Sequence, residues 1–334
     1  MEEMILQDIA NIYDCPHTTA KDEGVGVPLI RTPNVGKGRL DLTNVHRVSC
    51  EIYNERTLRA IPEEDDIIIA REAPVGNTAI IQKEQKVCLG QRVVLLKPKR
   101  NLVDPNFLVY YLLSNEVQHR LNIHANGAVV AHLNVADIRN LSVCLPPLCE
   151  QKKIGKSLKI IDDKIELNRR INDNLEQQAQ SLFKAWFVDN SNPDWVETTL
   201  SEVASFIGGY SYKGEELTDS SDMAMATIKN FGRNGGFKVD GFKDITPSTK
   251  LKECQYVDMF DVLVAHTDLT QNADVIGNAE LLLTYGKYDR VIFSMDLVKV
   301  LPKNNFPYKF LLAAMLKNKI FKGHCLGYVN GTTV

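Results

Sequence analysis

The apolar positions of this chain recur twice in the same order. Leu6-Gln7-Asp8-Ile9-Ala10 is matched 194 residues later by Leu200-Ser201-Glu202-Val203-Ala204. Asp66-Ile67-Ile68-Ile69-Ala70 is matched 195 residues later by Asp261-Val262-Leu263-Val264-Ala265. Phe107-Leu108 and Leu112-Leu113-Ser114-Asn115 are matched at an offset of 203 by Phe310-Leu311 and Met315-Leu316-Lys317-Asn318. The tetrad 127–130 is matched at 204 by 331–334. Preserved order with a slowly drifting offset is the mark of a duplicated unit with loop insertions.

Each copy reads as mixed α and β. The Ile- and Val-rich runs 66–70 and 261–265 predict buried strands, and 79–81, 92–96 and 291–293 read likewise. Helical periodicity predicts helices over 106–121 and 308–321. Gly and Asn cluster between the strands at 34–38, 126–127 and 230–236, where turns need positive φ.

Between the copies a third pattern takes over. Ile154, Leu158, Ile161, Ile165, Asn168, Asn172, Leu175, Ala179, Leu182 and Trp186 alternate spacings of four and three. That is a coiled-coil seam, and the two asparagines in it read as register pins. Pro146-Pro147 and Pro193 bound the segment and predict a helix over about 150–188. Such a helix is about 58 Å long at 1.5 Å per residue. Its seam calls for a second helix, from this chain, another copy or another protein.

Composition narrows the class. With 334 residues, 44 % hydrophobic and 24 % charged, the chain fits about two ordinary globular domains. No run approaches the roughly 18 apolar residues of a membrane span, and the start is acidic where a signal peptide is basic, so a cytoplasmic protein is expected. Seven scattered cysteines without a C-x-x-C pair fit a reduced chain. His119, His124 and His132 lack partners at ligand spacing, so no metal is expected. Net charge is −3, and no segment forms a basic arm. Phosphate neutralisation therefore predicts weak DNA binding by the chain alone.

The sequence carries none of the common catalytic motifs that would suit such a chain. Leu145-Pro146-Pro147-Leu148 and Asn192-Pro193-Asp194-Trp195 do not fit the Asp/Asn-Pro-Pro-Tyr/Phe of adenine methyltransferases, and neither a phosphate loop nor a nucleophile elbow occurs. The acidic run Glu63-Glu64-Asp65-Asp66 reads as a solvated stretch ahead of a strand rather than a nuclease centre.

The segment from Leu145 to Asp189 carries a family resemblance. Its opening Pro146, Pro147, Glu150 and Gln151, and its closing Ala179, Leu182, Phe183, Lys184, Trp186 and Phe187, strongly resemble the central conserved region of specificity subunits of Type I restriction-modification systems. The loop Asp14–Thr19, IRTPNVGKGRLDL and IKNFGRNGGF are similar to neighbouring elements of that family. The resemblance implies an α+β chain with two tandem homologous target recognition domains, β-rich at their cores, joined by a long coiled-coil helix. The expected boundaries are 1–145, 146–190 and 195–334. It implies a non-catalytic subunit that reads a bipartite site in double-stranded DNA, with the helix as spacer. Expected partners are two modification (methyltransferase) subunits and, in the full complex, restriction subunits. S-adenosylmethionine, ATP and Mg would be used by those partners, with no cofactor in this chain. The family's second conserved helix has no counterpart after Val334, which suggests a C-terminally truncated form, or one whose seam is filled in trans, self-association included. A coiled-coil interaction or regulatory scaffold and a remnant of a fused Type IIG-like enzyme stay open. DNA binding only with methyltransferase subunits would separate them from the main reading.

Base reading needs Arg or Lys toward guanine and Asn or Gln toward adenine, on loops that can enter a groove. The candidates in the first copy are His17, Thr18, Thr19, Arg31, Thr32, Asn34, Lys37, Arg39 and Arg71. In the second they are Tyr210, Ser211, Tyr212, Lys213, Lys229, Asn230, Arg233 and Asn234.

Overall fold

A computed structural model describes residues 2–124, 132–190, 192–233, 235–268 and 273–329. The tetrads at 127–130 and 331–334, and the candidate Asn234, lie outside the described residues. The chain divides into two compact units, Met1–Ile171 and Asn172–Val334.

The first unit holds a five-stranded sheet in the order Ala10–Asp14, Val93–Pro98, Ile67–Ala70, Thr78–Ile80, Gly38–Arg39. A three-stranded sheet accompanies it, in the order His46–Val48, Val27–Ile30, Cys88–Leu89. The central strands are continuous apolar runs because both faces of the larger sheet are covered. Ile67, Ile69, Val94 and Leu96 enter one core with the helix Pro105–Leu112. Ile68, Ala70, Val93 and Leu95 enter another with Ile30 and Leu89. Alternate residues of one strand thus serve two cores, as the period of two dictates.

The second unit repeats this plan. Its larger sheet runs Ala204–Gly208, Leu297–Pro302, Val262–Ala265, Ala279–Leu281, and its smaller one Lys243–Asp244, Met223–Ala226, Arg290–Phe293. The register is the same as well. Ala10 faces Pro98 and Ile67 faces Leu96 in the first unit. Ala204 faces Pro302 and Val262 faces Val300 in the second. Even the parallel pairings correspond, Ile30 with Leu89 and Ala226 with Phe293. Each unit sets a lysine on the corresponding aspartate, Lys97–Asp66 at 2.9 Å and Lys299–Asp261 at 3.5 Å, from different positions of the register, since Lys299 aligns with Leu95.

The predicted helices 106–121 and 308–321 are each two helices. The first is Pro105–Leu112 followed by Asn115–His124, and the second is Lys309–Leu316 followed by Lys319–Gly327. In the second pair the Asn318 side chain accepts from Ile320 N and starts a new helix. The offset of 203 is one residue short. Leu108, Val109 and Leu112 are buried in the first unit and Leu312, Ala313 and Leu316 in the second, which sets the correspondence at 204.

A strand at the start of the chain, Glu2–Ile5, pairs antiparallel with Ser142–Leu145 just before the long helix. That helix runs Leu148–Phe183 and continues as a π-helical stretch, Lys184–Asp189. It meets the first unit through polar and small residues. Buried Gln151 donates to the carbonyls of Pro146 and Leu102 and accepts from Asp104 N. Gly155 lies against the backbone of Phe107. Tyr110 Oη donates to Asp162 at 2.8 Å. The seam faces elsewhere: Ile154, Ile161, Ile165, Leu175, Leu182 and Trp186 are all exposed. Among the described residues no helix is long and apolar enough to cross a membrane, and no cluster of three metal-ligating side chains occurs. All seven cysteines are free, and burial pushes the Cys88 thiol up to about 11.

Candidate nucleic-acid interface

Five of the predicted base readers turn out to build the loops instead. Asn34 and Asn230 are buried at the ends of two equivalent short 3-10 turns. Asn34 Oδ1 accepts from Arg31 N and its Nδ2 donates to Asp41 O, at 3.1 Å each. Asn230 repeats this with Thr227 N at 2.8 Å and Lys238 O at 2.7 Å. Both amides are buried and bonded through oxygen and nitrogen within their own loops, so neither presents an edge to adenine. Tyr210 is buried, and its hydroxyl donates to Glu216 at 2.6 Å. Arg39 pairs with Asp163 of the long helix, which places its loop against that helix. Arg71 is buried, with Nε on Leu133 O at 2.9 Å and Nη1 on Asp14 at 3.0 Å.

The remaining candidates are accessible to different degrees. His17, Thr18, Thr19, Lys37, Ser211, Lys213, Lys229 and Arg233 are exposed, while Arg31, Thr32 and Tyr212 are half-buried. Lys243 Nζ sits 5.3 Å from the Tyr212 ring centre and donates to its hydroxyl. Arg233 lies 3.7 Å from Asp274. Lys37 and Lys229 stand on the loops that the two buried asparagines shape.

His17–Thr19 and Arg71 are brought together. Arg56 staples the loop from beneath, with Nε on Leu89 O and Nη1 on Thr18 O, both at 2.9 Å. Gln91 Nε2 donates to the His17 carbonyl, and Thr19 Oγ1 donates to Gln91 Oε1 at 3.2 Å. Arg71 Nη2 is 2.8 Å from His132 Nε2. Arginine can only donate, so His132 Nε2 accepts and its Nδ1–H points to Glu72 at 3.1 Å. Glu72 then holds Arg92 at 2.7 Å. The result is a cleft of about 340 Å³ lined by His17, Arg71, Glu72, Gln91, Arg92 and His132. Gln91 and Arg92 were missed in the sequence. The signal was present: Gly90-Gln91-Arg92 interrupts two apolar runs, which marks a polar turn between strands.

In the second unit the loop 210–216 closes on Glu216. Its carboxylate accepts from Ser248 Oγ and N, Tyr210 Oη and Lys213 N, each at 2.6 Å. These bonds, led by Ser248, hold the carboxyl down at about 2 from its ordinary 4.5. A depressed folded-state value stabilises the fold above the unfolded value and loses that contribution as pH falls through the folded one. Thermal melts from pH 5 to pH 2 are therefore expected to fall more steeply for the wild type than for Glu216→Gln. Parallel curves would mean that the loop does not depend on this charge.

Comparison with known proteins fits this arrangement. Residues 1–177 match the family model described as Type I restriction modification DNA specificity domain. The putative type I restriction enzyme MjaX specificity subunit of Methanocaldococcus jannaschii is 32 % identical over 167 residues, which is 50 % of this chain and 36 % of that protein. The type I restriction enzyme HindI specificity subunit of Haemophilus influenzae is 26 % identical over 229 residues, 66 % of this chain and 48 % of the relative. The chain thus spans half or less of the length of these relatives. The crystal structure of a Type-I restriction-modification system S subunit from M. genitalium shares the fold. Its TM-score is 0.53 at 16 % identity, over 98 % of this chain and 79 % of that one.

Proposed function

We propose a function from one premise, that this chain belongs to the family of type I restriction-modification DNA specificity domains. The chain is the sequence-reading subunit of a DNA-modifying complex. Each unit reads one half of a split site in duplex DNA, and the long helix docks two methyltransferase subunits. Restriction subunits complete the assembly. The transferred methyl group, ATP and Mg belong to those partners, and this chain supplies recognition alone.

The observation that carries the reading is the internal repeat. Two units share strand order and register, which suits two half-sites read by one scaffold. Shared scaffolding with different loop chemistry lets each unit read its own sequence. The exposed apolar seam supports docking. Monomeric surfaces seldom carry so long an apolar stripe unless something covers it.

The test is to co-express the chain with its modification subunit and map modified bases in the host DNA. A split motif methylated in each half is the expected result. A complex that forms but modifies no split motif overturns the reading. So does duplex binding that ignores sequence.

A further inference from the structure

The two units share register and turn positions, and at one shared turn their exposed side chains differ in chemistry. Asn34 corresponds to Asn230, Asp66 to Asp261, and Gly76 to Gly277 at positive φ in both. The strand pairings fix a further correspondence. Val93 faces Ala70, and Leu297 faces Ala265. The two residues ahead of these strands are Gln91-Arg92 in one unit and Met295-Asp296 in the other. One backbone hydrogen bond is shared by both turns: Arg71 N donates to Arg92 O, and His266 N donates to Asp296 O, although only Arg92 is in the left-handed region. One frame thus presents an amide and a cation in the first unit, and a thioether and an anion in the second.

We propose that these two turns are the base-reading tips, with Arg92 donating to a guanine in the first half-site and Met295 packing on a thymine methyl in the second. This rests on the specificity-subunit reading. Arg92 is exposed at 62 % of its side chain and steadied on one side by Glu72 at 2.7 Å. Its backbone is in the left-handed region, at φ 64°, where a non-glycine residue is uncommon and held by its surroundings. Met295 is 54 % exposed. Asp296 is held by Ser294 Oγ and Thr267 Oγ1, both at 3.2 Å, so it fixes the turn beneath Met295.

The surroundings favour a base edge over a phosphate. Asp14 and Glu72 sit among His17, Arg71 and Arg92, so a phosphate would meet two carboxylates. A guanine edge offers two acceptors without net charge, which a buttressed guanidinium matches.

The experiment uses the complete complex with its modification subunits. Methylation mapping of the wild type defines both half-sites, and duplexes changed at each base pair are then titrated. For Arg92→Ala, discrimination at one guanine of one half-site falls by about 10- to 100-fold, with the other half-site unchanged. The salt dependence of binding also stays as it was. Arg92→Lys restores part of the discrimination. Met295→Ala weakens preference in the opposite half-site only. Equal loss on every duplex with a shallower salt slope would make Arg92 a backbone contact and overturn the proposal. Unchanged specificity in a variant that melts like the wild type would overturn it as well. A wild-type complex that recognises no split site would remove the parent reading, and this inference with it.

Discussion

Leu175→Asp and Leu182→Asp should each prevent assembly with the modification subunits while leaving the fold of this chain nearly untouched. Leu175 is 57 % exposed and Leu182 50 %, so neither supports the core of its unit. Substitutions at such positions usually change stability by less than about 0.5 kcal/mol. Assembly is different. A leucine buried in a partner's seam contributes about 1.5–3 kcal/mol. An aspartate there forfeits that and strands a charge away from water. Together these weaken association by on the order of 100-fold or more. Co-purification and sedimentation would read assembly, and thermal unfolding would read the fold. If assembly survives both changes, the stripe from Ile154 to Trp186 is not the docking seam. Leu158 of the stripe is half-buried, but Leu175 and Leu182 are exposed, so neither substitution disturbs a buried side chain.

The second large effect is at Gly155, where two physical terms oppose each other. In an isolated helix Gly→Ala is favourable by about 0.5–1 kcal/mol. In this protein an added Cβ would stand 2.6 Å from Phe107 N and 2.6 Å from Asp104 Oδ1. The first is backbone and cannot swing aside. The second is the acceptor that caps the helix Pro105–Leu112 through Phe107 N, at 2.9 Å. Overpacking of this kind costs about 1–3 kcal/mol, and a lost cap about 1 more. The clash wins. Gly155→Ala should destabilise the first unit by about 1–3.5 kcal/mol, and Gly155→Val should lift the helix off it. Gly323, inside the helix Lys319–Gly327, has open space where its Cβ would go. Gly323→Ala should therefore stabilise by about 0.5–1 kcal/mol, as the intrinsic scale says. Urea unfolding of the two variants side by side would check both signs. A stabilised Gly155→Ala protein would mean that the helix is not seated on Phe107.

Much of the architecture was legible in the residues. The runs 66–70 and 261–265 became central strands because three or four consecutive apolar side chains can all be buried only where a sheet is covered on both faces. The heptad spacing of Ile154 to Trp186 became a continuous helix. The two-copy α+β plan with a long connecting helix followed from these patterns, since each depends on spacing along a single stretch of chain.

The candidate site was less legible, for a reason that individual residues show. An arginine in a polar loop looks the same in sequence whether it reads a base or holds a loop. Arg71 became a buried strut because Asp14, 57 residues earlier, and His132, 61 residues later, converge on it. Arg39 was turned to the long helix by Asp163, 124 residues away. Asn34 and Asn230 kept the expected turns but spent their amides inside them. Conversely, Gln91 and Arg92 reach the surface because the strand Val93–Pro98 pairs on both sides and leaves their turn at its end. Local spacing determined which segments are helix and strand, because backbone geometry sets those periods. Only the tertiary structure decided which polar side chains face solvent, because the partners that bury them lie far away along the chain.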